Sequence, residues 1–166
     1  MKKVLVSACL LGDVVRFDAR VLSSDGERVG EHAPPPQPIL ARWLREGRVV
    51  RVCPEVAGGL PVPRPPAERQ RDGAIRTKTG LDVTDHFTAG AQEALRLVRE
   101  HGIGVAVLKE GSPSCGSGYV YDGTFTKTRV PGGEGETVRL LRAHGVRVFS
   151  EHDWESAEAT LRALEA

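Results

Sequence analysis

The sequence predicts an α/β fold: a single three-layer domain over residues 1–166, with a short, mainly parallel sheet and helices on both faces. Four short, β-branched apolar runs recur along the chain, as buried parallel strands do, and amphipathic helical patterns alternate with them. With 40% hydrophobic residues in 166, the chain has material for one core of ordinary size.

The elements follow in order. Val4 to Val6 is the first strand. Ala33-Pro34-Pro35-Pro36-Gln37-Pro38 is a stiff approach to a helix, in which Ile39, Leu40, Trp43 and Leu44 keep helical spacing until Gly47 stops it. Val49 to Val52 is the second strand, and Pro61-Val62-Pro63-Arg64-Pro65-Pro66 reads as an extended loop. Arg71 to Asp82 adds a small irregular or hairpin insertion. Thr84 caps a helix running through Phe87, Ala91, Leu95 and Val98 to a stop near Gly102. Gly104 to Leu108 is the third strand, Thr137 to His144 a helix ended by Gly145, Val146 to Phe149 the fourth strand, and Trp154 to Leu164 the last helix. No internal repeat or low-complexity tract interrupts the series.

Charge narrows the function classes. Twenty-three basic and 22 acidic residues leave a net charge of +1, so nothing in the average favours a phosphate backbone or an anionic lipid surface. No stable nucleic-acid complex is expected. Met1-Lys2-Lys3 leads straight into Val4-Leu5-Val6, too short for a signal-peptide core, and no segment approaches the roughly 20 apolar residues of a membrane span. The expected location is the cytoplasm, with no membrane partner.

Three cysteines cannot complete a disulfide framework within the chain. In a reducing compartment they are core fillers, nucleophiles or metal ligands. Cys9 follows the first strand, Cys53 closes the second and Cys115 lies beyond the third, so all three belong at the carboxyl ends of strands. In an open α/β sheet those ends share one edge, where ligands bind. A structural zinc site prefers four closed ligands and often Cys-x-x-Cys pairs, neither of which is present. Thiolates also suit iron–sulfur clusters, and a cubane held by three leaves one iron free as a Lewis acid. Metal-free nucleophile chemistry at Cys115, aided by a nearby helix N-terminus, stays open. His32, His86, His101, His144 and His152 show no paired ligand spacing.

Five strings carry a resemblance: Ser7-Ala8-Cys9-Leu10-Leu11-Gly12, the stretch from Cys53-Pro54-Glu55 to Pro63-Arg64, Gly80-Leu81-Asp82-Val83-Thr84, Leu108-Lys109-Glu110-Gly111-Ser112-Pro113-Ser114-Cys115-Gly116, and Val120-Tyr121-Asp122-Gly123. Together they resemble the thiouracil desulfidase (TudS-like) family over essentially the whole chain. The resemblance implies a [4Fe–4S] cluster on Cys9, Cys53 and Cys115, whose open iron binds the sulfur of 2-thiouracil and which leaves uracil and sulfide by a non-redox route. It also implies acid–base or substrate-orienting roles for Glu55 and Ser112. Ser7 and Ser114 become candidates for contacts to cluster sulfides or substrate, and Lys109 and Arg64 for binding an anion or balancing cluster charge. Structural alternatives stand beside these: a turn-stabilising Ser112, and salt bridges for Lys109 and Arg64. Arg16, Asp18 and Asp122 read as loop-ordering groups. An open iron is labile, so handling in air is expected to empty or replace the cluster.

Two stretches depart from the family pattern. Arg16-Phe17-Asp18-Ala19 stands where relatives often carry tyrosine-aspartate-glycine, and Thr126 to Pro131 is atypical. Both bear on substrate preference and leave the cysteines intact. Two other function classes compete. A nucleotide-binding domain lacks a complete Gly-x-x-x-x-Gly-Lys-Ser/Thr phosphate loop, and Gly132-Gly133-Glu134-Gly135 does not follow a strand expected from the sequence, as a dinucleotide fingerprint should. A non-enzymatic iron–sulfur sensor or carrier lacks a basic recognition helix as an output surface.

Overall fold

The computed structural model describes residues 1–166. In chain order the elements are β1 (Val4–Ser7), a 3₁₀ turn (Ala8–Leu11), α1 (Pro38–Arg45), β2 (Val49–Val52), α2 (Pro54–Ala57), β3 (Ala67–Arg69), β4 (Ile75–Thr77), α3 (Thr84–His101), β5 (Val105–Val107), β6 (Tyr119–Tyr121), β7 (Arg129–Pro131), α4 (Glu136–Ala143), β8 (Arg147–Phe149) and α5 (Trp154–Glu165). Four strands form the central sheet in the order β2-β1-β5-β8. All its pairings are parallel, with Val4–Ser7 opposite Val49–Val52, Leu5 and Val6 opposite Ala106 and Val107, and Val105–Val107 opposite Arg147–Phe149.

Alternation along the strands builds the three layers. Val4, Val6, Val105 and Val107 pack with Leu40 and Trp43 of α1 and with Trp154, Ala157 and Leu161 of α5. Leu5, Ala106 and Val148 face the other way, onto Ala94, Leu95 and Val98 of α3 and Val138 and Leu141 of α4. Leu5 is fully buried, and its truncation to alanine is expected to cost about 2–5 kcal/mol. On the first face Trp43 and Trp154 meet edge to face at 5.9 Å. No helix is long and apolar enough to cross a membrane.

The strand order creates the crevice. From β1 the chain steps outward to β2, then crosses back over β1 to β5, so the direction of winding reverses beside β1. Loops leaving β1 and β5 part at that point and open a gap at the carboxyl edge. Two glycines permit the close approaches that shape it. A Cβ on Gly58 would lie 1.9 Å from the His86 carbonyl oxygen, where α2 presses on α3. A Cβ on Gly135 would lie 2.3 Å from the Ser114 carbonyl carbon, where the start of α4 meets the Cys115 loop.

Some expectations change. Thr84 is the first helical residue and not the cap, a position held by Val83. Its hydroxyl is engaged elsewhere, accepting the Ile75 N–H at 2.9 Å and donating to Asp82 at 2.6 Å, which fastens the β3–β4 hairpin to α3. That hairpin realises the expected insertion, beginning at Ala67. The antiparallel β6–β7 hairpin and the single-turn α2 were not legible in the sequence pattern.

Candidate active site at the carboxyl edge of the sheet

Each thiol comes from the turn that ends a strand. Cys9 sits in the 3₁₀ turn after β1, closed by Gly12 in the left-handed region at φ 86°. Cys53 is the N-cap residue of α2, with Pro54 in the first turn where its missing N–H costs nothing. Cys115 lies in the loop after β5, and the amides at the start of α4 donate to that loop's carbonyls, Glu136 to Pro113 at 2.7 Å and Thr137 to Ser114 at 3.0 Å. None of the three is in a disulfide, and all three line one cavity of about 550 Å³.

The thiols are strongly desolvated. Burial, reinforced by the neighbouring Cys53, pushes the Cys9 thiol up to about 12, although Arg16 and Lys109 pull it down. Burial and the two other cysteines push Cys115 up further, and burial raises Cys53 as well. Without a metal these groups stay protonated at neutral pH, which makes them poor nucleophiles and weighs against metal-free cysteine catalysis. A bound cation would deprotonate them. No three ligating side chains converge closely enough to chelate a single ion. Three separate soft thiols ringing a cavity instead fit a polynuclear iron–sulfur group, which offers a different iron to each.

Glu55 shares the cavity. Its side chain is 18% exposed, and the Arg64 Nε donates to its Oε1 at 3.3 Å. Burial raises the Glu55 carboxyl above the usual range, outweighing the nearby charges of Arg64 and Arg16. Arg64 is itself held by the Pro61 carbonyl at 3.0 Å, and its backbone N–H donates to Phe17. Ser112 lines the cavity too, and its Oγ accepts from the Cys115 N–H at 2.7 Å and the Ser114 N–H at 3.3 Å. The turn-stabilising role foreseen for it is therefore filled, while its own O–H proton has no protein acceptor.

The remaining candidates divide. Ser7 lines the cavity, accepts the Lys109 N–H at 2.9 Å and reaches the Cys115 Sγ at 4.0 Å, so it orients a thiol. Lys109 lines it as well, with its Nζ paired at 3.0 Å to Glu151, a carboxylate only 1% exposed. Ser114 is fully buried, hydrogen-bonded to Thr137 at 2.8 Å, and is absent from the cavity lining. Arg16 borders the cavity and pairs with Asp18 at 3.3 Å. Asp122 orders a turn by accepting from the Thr124 N–H and hydroxyl, away from the lining.

Sequence reasoning missed the aromatic wall and two organising carboxylates. Both tyrosines of the protein, Tyr119 and Tyr121, line the cavity and meet edge to face at 5.7 Å, with Phe17 and Phe125 nearby in the lining. Their alternate spacing in Tyr119-Val120-Tyr121 was the available signal. Glu110 gathers the backbone N–H groups of Gly111, Ser117, Gly118 and Tyr119, fixing the Cys115 loop. Glu68, 8% exposed, accepts from Gly123 and Phe125. Nothing in the sequence announces such backbone partners.

The chain is similar to known proteins over nearly its whole length. The model of the 2-thiouracil desulfurase family matches residues 4–153. The uncharacterized protein YbbK of Bacillus subtilis (strain 168) is 35% identical over 159 residues, covering 90% of this chain and 96% of its own. A solved structure described as the [4Fe-4S]-dependent thiouracil desulfidase TudS is 46% identical, with a TM-score of 0.86 over 98% of this chain and 99% of the other.

Proposed function

Because this chain belongs to the 2-thiouracil desulfurase family, we propose that it converts a thiolated pyrimidine of the 2-thiouracil kind to the oxo base, releasing sulfide. The protein is a desulfidase, and the observation that carries the finer reading is that Cys9, Cys53, Cys115 and Glu55 all line one cavity. Net, water replaces sulfur at carbon: one C=S becomes C=O, hydrogen sulfide leaves, and nothing is oxidised or reduced.

Cys9, Cys53 and Cys115 would hold a [4Fe–4S] cluster, which would supply a soft Lewis acid for the substrate sulfur. The chain's own groups do the rest. Glu55 takes a proton from the attacking water and returns one to the departing sulfur or the ring nitrogen, a task suited to a carboxyl that burial raises above its usual range. Arg64 fixes one Glu55 oxygen, leaving the other for the proton. Ser112, its oxygen already bound to two amides, offers its O–H to orient water or the base. Tyr119, Tyr121 and Phe125 give the cavity an aromatic lining that suits a planar ring and excludes water around it.

The test is anaerobic reconstitution to about four iron and four sulfide per chain, followed by turnover of 2-thiouracil with uracil and sulfide both quantified. Equal amounts of the two products are expected. A fully loaded protein that releases neither, yet binds another small molecule at the open iron, would keep the site and reject this substrate.

A further inference from the structure

The β6–β7 turn carries Phe125 and Lys127 into the cavity lining, and it is an improbable shape for its sequence. Gly123 has φ 94°, and the non-glycine residues Phe125 and Lys127 follow at 58° and 59°. Side-chain-bearing residues enter the left-handed region only when something holds them there. Phe125 and Lys127 nevertheless line the cavity, while Thr124, Thr126 and Thr128 join their hydroxyls in a ladder on the exposed side, 2.6 and 2.8 Å apart.

What holds the turn comes from the other hairpin. Glu68, in the middle of β3, is buried and lines the cavity. Its Oε1 accepts the Gly123 N–H at 2.9 Å and the Phe125 N–H at 3.2 Å, bracketing the first two left-handed residues. The Gln70 amide adds a bond to the Gly123 carbonyl at 3.2 Å, and Gly123 approaches so closely that a Cβ there would lie 2.6 Å from the Arg69 carbonyl oxygen. Arg69 in turn ties β3 to the start of α4 through Glu136 at 2.6 Å. The two hairpins thus form a roof over the cavity, with one buried carboxylate as its clasp.

We propose that Glu68 is a positioning residue: by fixing the Asp122–Thr128 turn it keeps Phe125 and Lys127 over the cavity, and so sets how firmly the substrate is held, not how fast it reacts. For the identity of the substrate this rests on the desulfidase reading; for the clasp it does not.

The experiment compares Glu68→Ala and Glu68→Gln with the parent in two measurements. Amide hydrogen exchange of the intact chain without substrate should show the Gly123 and Phe125 amides opening about tenfold or more faster in Glu68→Ala, with β1, β5 and α3 unchanged. Glu68→Gln, whose amide oxygen can still accept both bonds, should exchange nearly as the parent does. Unchanged exchange at these amides in Glu68→Ala overturns the clasp. In anaerobic turnover by cluster-loaded protein, Glu68→Ala should raise KM about fivefold or more and leave kcat within about twofold, the pattern of lost uniform binding. A fall in kcat at unchanged KM overturns the positioning role. Should Glu68→Ala not fold, Phe125→Ala removes the roof's aromatic ring while keeping the clasp, and must give the same KM-against-kcat split. A parent that turned over no thiolated base would reject the desulfidase reading, and the exchange measurement would still decide the clasp.

Discussion

Two glutamates, one at the cavity and one between α1 and α5, show what each region is built for. Burial works against ionisation at both. At Glu55 it wins over Arg64 and Arg16, and the carboxyl is raised. At Glu158, between α1 and α5, it loses to Arg162, Trp43 and Arg42 combined, and the carboxyl is held below its ordinary range. The difference lies in donors: Glu55 receives one long bond from Arg64, whereas Glu158 accepts from Trp43 Nε1 at 2.7 Å, Arg162 Nε at 2.7 Å and Arg42. A fully satisfied carboxylate is fastened; a sparsely satisfied one is left able to exchange a proton. The α1–α5 face is arranged for stability and the carboxyl edge for reactivity.

Four measurements can break that contrast. The largest effect is expected from the thiols: Cys9→Ser, Cys53→Ser and Cys115→Ser should each lose cluster iron and reduce turnover to background, while circular dichroism of the apoprotein stays that of the parent. Full iron content in all three would remove them as ligands. Next, Glu55→Gln should lower kcat by about 10² or more with iron content unchanged, and denaturant unfolding of the apoprotein should show no loss of stability, since the substitution removes a charge that burial penalises. A large loss of stability would make Glu55 a second Glu158.

The converse variant, Glu158→Ala, should cost about 1–3 kcal/mol in denaturant unfolding because it strands the buried Trp43 N–H and removes the partner of two arginines. The kcat of its folded fraction should match the parent's. The smallest effect is in acid. Glu158 has a folded-state pKa below its unfolded value, so its contribution is complete above about pH 4.3 and is lost as pH falls through the lower, folded value. Unfolding midpoints of the parent should therefore fall more steeply below about pH 4.3 than those of Glu158→Gln. Parallel slopes would show that Glu158 is not fastened as described.

How much of this the sequence disclosed follows from which interactions have a period. Val4 to Val6 and Val49 to Val52 were legible because buried parallel strands concentrate β-branched residues, and Cys9, Cys53 and Cys115 were placed on one edge because each follows such a strand. Loop orientation has no period. Ser112 and Ser114 are two residues apart in one turn, yet one lines the cavity and the other is buried against Thr137. The β6–β7 hairpin escaped notice because its strands are three residues each and Arg129–Pro131 is exposed throughout. Thr84 has the chemistry of a cap, but its hydroxyl was claimed by Ile75 and Asp82, a tertiary choice that local preference does not encode.

The central place of β1 carries a consequence for how the molecule is made. β1 lies beneath α5, with Val4 and Val6 against Trp154 and Leu161, and Lys2 and Arg48 bound to Glu165. Cys115 precedes Trp154 in the chain, so every thiol has left the ribosome's active centre before α5 is begun. At translation speeds of about 5–20 residues per second, the interval between the last thiol and the closing helix is a matter of seconds. For that time the nascent chain possesses all three cysteines while one face of its sheet is covered by α1 alone.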